Sequence, residues 1–485
     1  MALELVRHDI DISRDTARVL ARPHIPGNPA RIRNIIDRVL KLPLPAVRYE
    51  VDKVMNEFSW RHHRIECVLL SNFDAVRNYF PENICPSPEQ RLLIGACFTM
   101  EYAIESAALF NPAIVPHPDQ TGLKSGQLRF IMSLRATGEG HISSIVFRSG
   151  IIGPDGSLAL NPTSKIIDTP DLQLNSTYEK HLFELKLNEM RVCSETTAWV
   201  LSRLNEFFSF EELMRCIACF RAQFRPAAAN QTECLHLMEW LARSNYETRF
   251  SPSIPISGRV VFPVSENESS GIEDARFVKF YEDSGESRYY ATYTAYNGHS
   301  ILPQLIETSD FETFRIITMN GKAVQNKGMA LFPRRINGQY AMLSRQDGEN
   351  NYIMFSDHMH FWQKAQLLQY PESTWEFVQI GNCGSPLETD EGWLVLTHGV
   401  GPMRKYSIGA ILLDLEAPAR IIARLDEPLM TPQEDEREGY VPNVLYSCGA
   451  LIHNGQLILP YAMSDIRTRV ATVSVENLLR SMSRC

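Results

Sequence analysis

From Ser257 onward the sequence is almost entirely short apolar runs broken by turn residues. Four segments there share one loose plan of strand, turn, strand, turn, strand. They begin near Ala275, Ala330, Gly392 and Cys448, a spacing of about 50 to 60 residues. A several-stranded unit recurring at that period predicts propeller blades, because a small sheet buries its faces only by stacking on its neighbours. The earlier stretch LRFIMSLRATGEGHISSIVFRSGIIGPDGSL reads as a further meander and supplies the remaining blade. The repeats are divergent, so a two-sheet sandwich stays open as the competing architecture.

Two other textures interrupt the strands. Residues 1–108 are expected to be an N-terminal helical region, since PARIRNIIDRVLKLPLPAVRYEVDKVMNEF and PEQRLLIGACFTMEYAIESAALF place apolar residues three to four apart. Residues 109–169 start the β region. Residues 170–250 return to amphipathic stretches such as STYEKHLFELKLNEMRVCSETTAWVLSRLNEFF and read as a helical insertion. Residues 251–485 are the remainder of the β region. The fold class expected from the residues is therefore mainly β, a β-propeller or a two-sheet sandwich carrying an N-terminal helical region and a helical insertion.

At 485 residues, 44% hydrophobic and 22% charged, the chain can bury a large core. The formal charge of −9 argues against binding nucleic acid by backbone neutralisation, yet it permits a local basic pocket for a small anion. No apolar run approaches the roughly 20 residues of a membrane span, and MALELVRHDIDISRDTARVL lacks the apolar core of a signal peptide. The expected compartment is the reducing cytoplasm, and no nucleic-acid or membrane partner is expected. Ten cysteines, Cys193 among them, show no framework spacing, and Cys216 and Cys219 read as two buried thiols on one helix face. The pair His358 and His360 lacks a third ligand nearby, so no metal is expected.

The stretch SSGIEDARFVKFYEDSGESRYYATYTAYNG sets Glu273 and Asp274 between a turn glycine and Arg276. Two acids there make either a solvated turn or a proton-donating carboxyl at the entrance of a sugar site. Other polar residues gather where strands begin and end: Lys327, Arg345, Glu388, His398, Arg404, Tyr406 and Asp465. Lys327 and Arg345 also read as solvated charges, His398 as a turn or hydrogen-bonded core histidine, and Glu388 as part of a polar turn. Neither a glycine-rich phosphate loop before a helix nor a GxSxG elbow occurs.

Five motifs in order, GIEDAR, NKGMALFPRRINGQYAMLSR, GWLVLTHGV, YSIGAILLDLEAPARIIARLDEPLMTP and EGYVPNVLYSCGALIHNGQLILPYAMSD, resemble glycoside hydrolase family 130. Its members are chiefly β-mannoside phosphorylases, with some β-mannosidases, on a five-bladed propeller. The resemblance runs from about Asn111 to Leu479 around the helical insertion.

The resemblance implies that Asp274, the aspartate of G-x-E-D-x-R, is the sole general acid. Inorganic phosphate, the co-substrate, would attack the anomeric carbon from the opposite face. It is already a nucleophile, so no protein base is needed, unlike in two-carboxylate inverting hydrolases. Asp274 must then be protonated, which Glu273 favours and Arg276 opposes. Asn111, Arg135, Glu273 and Asp465 are implied in binding the mannosyl group. Lys327, Arg345, His398, Arg404 and Tyr406 are implied in binding phosphate, with no other cofactor.

The sequence departs from the family at the anion site. Lys327–Gly328 stands in place of an Arg-Asn pair, and Gln379 in place of a lysine; Arg404 is available to restore the charge. A hydrolase would instead want a carboxylate there, and Glu388, Glu434 and Glu436 are the candidates. The expected activity is phosphorolysis of a β-mannoside to mannose 1-phosphate. An inverting β-mannosidase and a non-catalytic sugar-binding propeller are the alternatives. Family members with extensions like these helices tend to be homo-oligomers.

Overall fold

The computed structural model describes residues 4–80, 84–168, 170–173, 177–190, 192, 195–224, 229–299 and 301–485; Cys193 lies outside them. The chain is mainly β with two helical units.

The strands fall into successive antiparallel meanders. Ala108–Pro116, Leu128–Thr137 and Ser143–Ile152 form the first. The second runs Gly271–Tyr281, Ser287–Tyr296, Ile301–Thr308 and Thr313–Thr318, and Gly271 pairs in parallel with Ser143 to join the two into one 11-stranded sheet. The third is Lys327–Leu331, Tyr340–Arg345, Asn351–Ser356 and Ala365–Gln369. Gln379–Asn382, Gly392–Val400, Tyr406–Leu413 and Ile421–Arg424 follow, with Ser483–Arg484 added at the edge. The last sheet contains Leu445–Tyr446, Gln456–Met463 and Arg467–Ser474, and Leu5–Ile12 completes it from the other end of the chain.

The first strands of these five meanders touch one another in sequence. Asn111 reaches Asp274, Lys327 reaches Glu273, and Asn382 donates to the Gly328 carbonyl at 2.6 Å. Gly384 packs on the Cys448 backbone, and the Cys448 amide donates to the Pro112 carbonyl at 2.8 Å. The segment that follows Leu445–Tyr446 thus lies beside the first meander. Apolar layers between neighbouring meanders, such as Phe147, Phe277, Phe311 and Phe314, bury the sheet faces.

The helical units have cores of their own. Pro29–Leu40, Leu44–Phe58, Ile65–Ala75 and Pro88–Cys97 pack around Ile36, Val47, Ile94 and Phe98. Asn28 caps the first of these helices, and a Ser87–Gln90 capping box starts the last. Residues 1–108 are less purely helical than their spacing suggested, for Leu5–Ile12, Val19–Pro23 and Thr99–Ala103 are strands. The last four residues of the first of these, Asp9–Ile12, alternate polar and apolar side chains, so Ile10 and Ile12 pack while Asp9 and Asp11 are exposed. The insertion holds Lys180–Glu189, Glu195–Leu201, Phe210–Gln223 and Ala229–Arg243 around Leu213, Ile217 and Phe220. That stripe leaves Cys216 half-buried and Cys219 exposed, so the two thiols are not both buried as expected. No helix among the described residues is long and apolar enough to cross a membrane.

Glu436 pins the N-terminal strand to the last sheet. Its carboxylate is fully buried and accepts from Arg7 Nε at 3.2 Å, the Tyr461 hydroxyl at 2.7 Å and the Gln433 amide at 2.9 Å. Removing it strands a buried guanidinium edge and a hydroxyl. Glu436→Ala should therefore lower unfolding free energy by about 3 kcal/mol, read by denaturant titration.

Candidate active site

Three consecutive first strands share one irregularity. The ladder breaks between Phe110 and Ala113, between Glu273 and Arg276, and between Lys327 and Ala330. Within each break one residue takes a left-handed backbone: Asn111 at φ 49°, Asp274 at φ 54° and Gly328 at φ 79°. A bulge re-aims one side chain out of the alternation. Asn, Asp and Gly tolerate that backbone best, and these are the residue types present. Gly328 takes this backbone without an amide side chain. Asp465, at φ 53°, sits in the turn between Gln456–Met463 and Arg467–Ser474; Arg404, at φ 55°, ends the short turn before Tyr406.

These elements converge on a cavity of about 190 Å³. Asn111, Arg135, Asp274, Asp465, Lys327, Arg345, Arg404 and Tyr406 line it, as do Arg276, Gly328, Val441, Val444 and Tyr446. A larger pocket under the helical insertion holds none of these residues.

Asp274 Oδ1 accepts from Asn111 Nδ2 at 2.7 Å and lies 3.4 Å from Arg135 Nη1. Glu273 stands beside the cavity and accepts from Arg135 Nη2 at 2.8 Å and Lys327 Nζ at 3.3 Å. It orients two cations. Arg276 donates to the Asp274 carbonyl at 3.1 Å and to the Tyr446 hydroxyl at 2.6 Å. Asn111 Oδ1 and the Nε atoms of Arg135, Arg276 and Arg345 are buried without a hydrogen-bond partner.

His398 differs from its expected role because it does not line the cavity. Its Nδ1 is 3.2 Å from the Asn382 carbonyl, which only accepts, so that nitrogen carries the proton. Its Nε2 then accepts from Arg345 Nη1 at 3.4 Å. Burial, with Arg345 and Arg276 nearby, holds its pKa well below the ordinary value, so the ring is neutral and props the guanidinium. Its ring also stacks against Tyr406, with centroids 5.9 Å apart. Gln379 donates to the Tyr406 hydroxyl at 3.3 Å.

Burial pushes the Asp274 carboxyl up, but Arg135, Arg276, the Asn111 hydrogen bond and Lys327 outweigh it and hold the group below the usual carboxylate range. The surrounding cations thus favour the ionised form of the acid expected to be protonated. Asp465 behaves oppositely: burial and the Asp274 charge raise it to about 6, with Arg135 and Arg404 opposing.

The carboxylates considered for activating water lie elsewhere. Glu388 is held by Arg334 at 2.7 Å and is 44% exposed, Glu434 is exposed, and Glu436 is locked to Arg7. No cluster of metal-ligating side chains occurs among the described residues, and His360 is buried alone. Sequence reasoning passed over Tyr446, Val441 and Val444, although their motif EGYVPNVLYSCGA had been singled out. The signal available was Tyr446, an aromatic with a hydroxyl two residues before a buried cysteine.

Residues 254–484 match the family described as beta-1,4-mannooligosaccharide phosphorylase, glycoside hydrolase family 130. A 1,2-beta-oligomannan phosphorylase of Thermoanaerobacter sp. (strain X514) is 33% identical over 220 residues, 44% of this chain and 72% of that protein. A beta-1,4-mannooligosaccharide phosphorylase of Ruminococcus albus is 30% identical over 238 residues, 46% of this chain and 70% of that protein. Among solved structures, the beta-1,2-mannobiose phosphorylase from Listeria innocua aligns with a TM-score of 0.46 at 20% identity, over 78% of this chain and 92% of that one. The 33% identity to a relative matched over 72% of its length makes this chain a member of glycoside hydrolase family 130.

Proposed function

We propose that this protein is an inverting phosphorylase of β-mannosides, built as a five-bladed propeller whose first strands ring the active cavity. The observation that carries the reading is the charge inventory of that cavity. Arg135, Arg276, Lys327, Arg345 and Arg404 face two carboxylates, Asp274 and Asp465. Such an excess of guanidinium and ammonium groups suits an oxyanion substrate. The curated relatives are named for β-1,2- and β-1,4-linked mannosides, so the shared substrate class is the β-mannoside.

In the reaction, a phosphate oxygen forms a bond to the anomeric carbon as the glycosidic C–O bond breaks. The bond electrons pass to the leaving oxygen, and Asp274 supplies its proton, directly or through a sugar hydroxyl. Asn111, Arg135 and Asp465 hold the mannosyl group. Arg345, propped by His398, binds phosphate together with Arg404, Lys327 and Tyr406.

The ionised state of Asp274 fits this scheme once phosphate is present. The anion shares the cations that keep Asp274 deprotonated and adds negative charge beside it, which raises its pKa. The proton is loaded when the nucleophile arrives. Free acid without phosphate would be rare, which restrains idle hydrolysis.

Hydrolysis is the second reading, and Asp465 is what favours it. This carboxylate lines the cavity and could serve as a base toward water. Product analysis separates the two. Phosphorolysis gives mannose 1-phosphate from β-mannobiose and stalls when phosphate is excluded; release of free mannose at an equal rate without phosphate would establish the hydrolase.

Asp274→Asn should reduce both phosphorolysis and synthesis by about 10³-fold with the circular dichroism unchanged. Arg345→Ala should raise KM for phosphate by about 30-fold or more, with a smaller change in KM for the mannoside. For Asp465, the value of about 6 against an ordinary 3.8 means the folded state holds an extra proton between them, so stability falls as pH rises through that window. Asp465→Asn should match the native melting temperature near pH 4 and exceed it above pH 6, as read by thermal scans across pH.

A further inference from the structure

We infer that Tyr440, stacked on His141 at the mouth of the cavity, is the platform on which the departing acceptor sugar rests, and that the acceptor is the end of an oligosaccharide. The inference rests on the mannoside phosphorylase reading and extends it to the acceptor side.

Tyr440 immediately precedes Val441, which lines the cavity, yet its own ring is 69% exposed. The ring lies against His141 with centroids 5.7 Å apart and planes 29° from parallel. The two residues come from different loops, one between Leu128–Thr137 and Ser143–Ile152, the other ahead of Val444. Both loops are fixed. The Tyr102 hydroxyl donates to the carbonyls of Glu139 and Ile142 at 2.8 and 3.3 Å. Arg437 Nε donates to Asn443 Oδ1 at 2.7 Å, and the Asn443 amide to the Arg437 carbonyl at 3.1 Å. The stacked pair is preorganised, so covering it costs little ordering entropy.

Met403 is a second exposed apolar side chain next to a cavity-lining residue. It neighbours the cavity-lining Arg404, holds φ 60° and is 91% exposed. A tyrosine and a methionine left this open at the edge of a cationic cavity call for a partner with an apolar face and polar edges. A pyranose ring has both, with axial C–H bonds on its face and hydroxyls around its rim. Because the platform is an open rim, a sugar resting there is free to continue into solvent as a chain.

The test is synthesis from mannose 1-phosphate with mannobiose as acceptor. Tyr440→Ala should raise the acceptor KM by about 10-fold while the mannose 1-phosphate KM stays within about two-fold, and Tyr440→Phe should behave like the native enzyme. An unchanged acceptor KM overturns the inference, as does an equal rise in both KM values. A change of oligomeric state in Tyr440→Ala without a change in acceptor KM also overturns it and makes the rim a contact between copies. If the native enzyme performs no synthesis, the phosphorylase reading fails instead. The KM for β-mannotriose hydrolysis then tests the platform, with the same 10-fold rise expected of Tyr440→Ala and no rise overturning it.

Discussion

The 2.7 Å hydrogen bond from Asn111 to Asp274 joins two left-handed residues, each set in a bulge, on the first strands of two different meanders. Without those bulges the strict alternation of a strand would turn either side chain into a sheet interface. With them, both point into the cavity and meet. The rest of the site is arranged around this pair: Arg135 spans Asp274 and Glu273, Glu273 holds Lys327, and Arg276 closes on the Asp274 carbonyl. The backbone conformation is the expensive part. The residues that tolerate it are also residues with carboxylate or amide chemistry, so conformation and function select the same side chains.

Electrostatic tension follows from that geometry. Five cations in one cavity make a good anion receptor and a poor environment for a protonated acid. The burial of Asp274 is not enough to reverse the effect of Arg135 and Arg276. Asp465, farther from compensation, absorbs the mutual repulsion of the two carboxylates and keeps a proton to about pH 6. An anion taken up there would therefore shift the proton equilibrium of both carboxylates.

Much of this was readable from the sequence because the motifs report local backbone needs. GIEDAR marks a strand that must bulge, and Asp274 stands out in it without any knowledge of its partners. Arg345, Arg404 and Lys327 were visible as cations at strand ends, and the structure gathers them in one cavity. Position within the pocket was not readable. His398 matched a family pattern, yet a carbonyl 16 residues away turns its ring to face Arg345. Glu436 was a candidate for activating water, but its partner Arg7 is 429 positions distant, and no periodicity encodes such a pairing. The N-terminal strand was hidden because its charges masked a two-residue alternation. Tyr440 and Tyr446 sit in loops, where residue type alone carries no direction.

The pairing of Leu5–Ile12 with Arg467–Ser474 has a consequence for biogenesis. Leu5 lies opposite Val473 and His8 opposite Val470, so this strand finds its place beside one synthesised much later. Until then the emerging chain carries an unmatched ribbon, and the cavity lacks Asp465 and the loop that bears Tyr440. Completion of this sheet thus waits for Arg467–Ser474, with a very long loop closure left until then. A translation product halted near residue 450 would expose two open sheet edges to other chains, a natural target for chaperones.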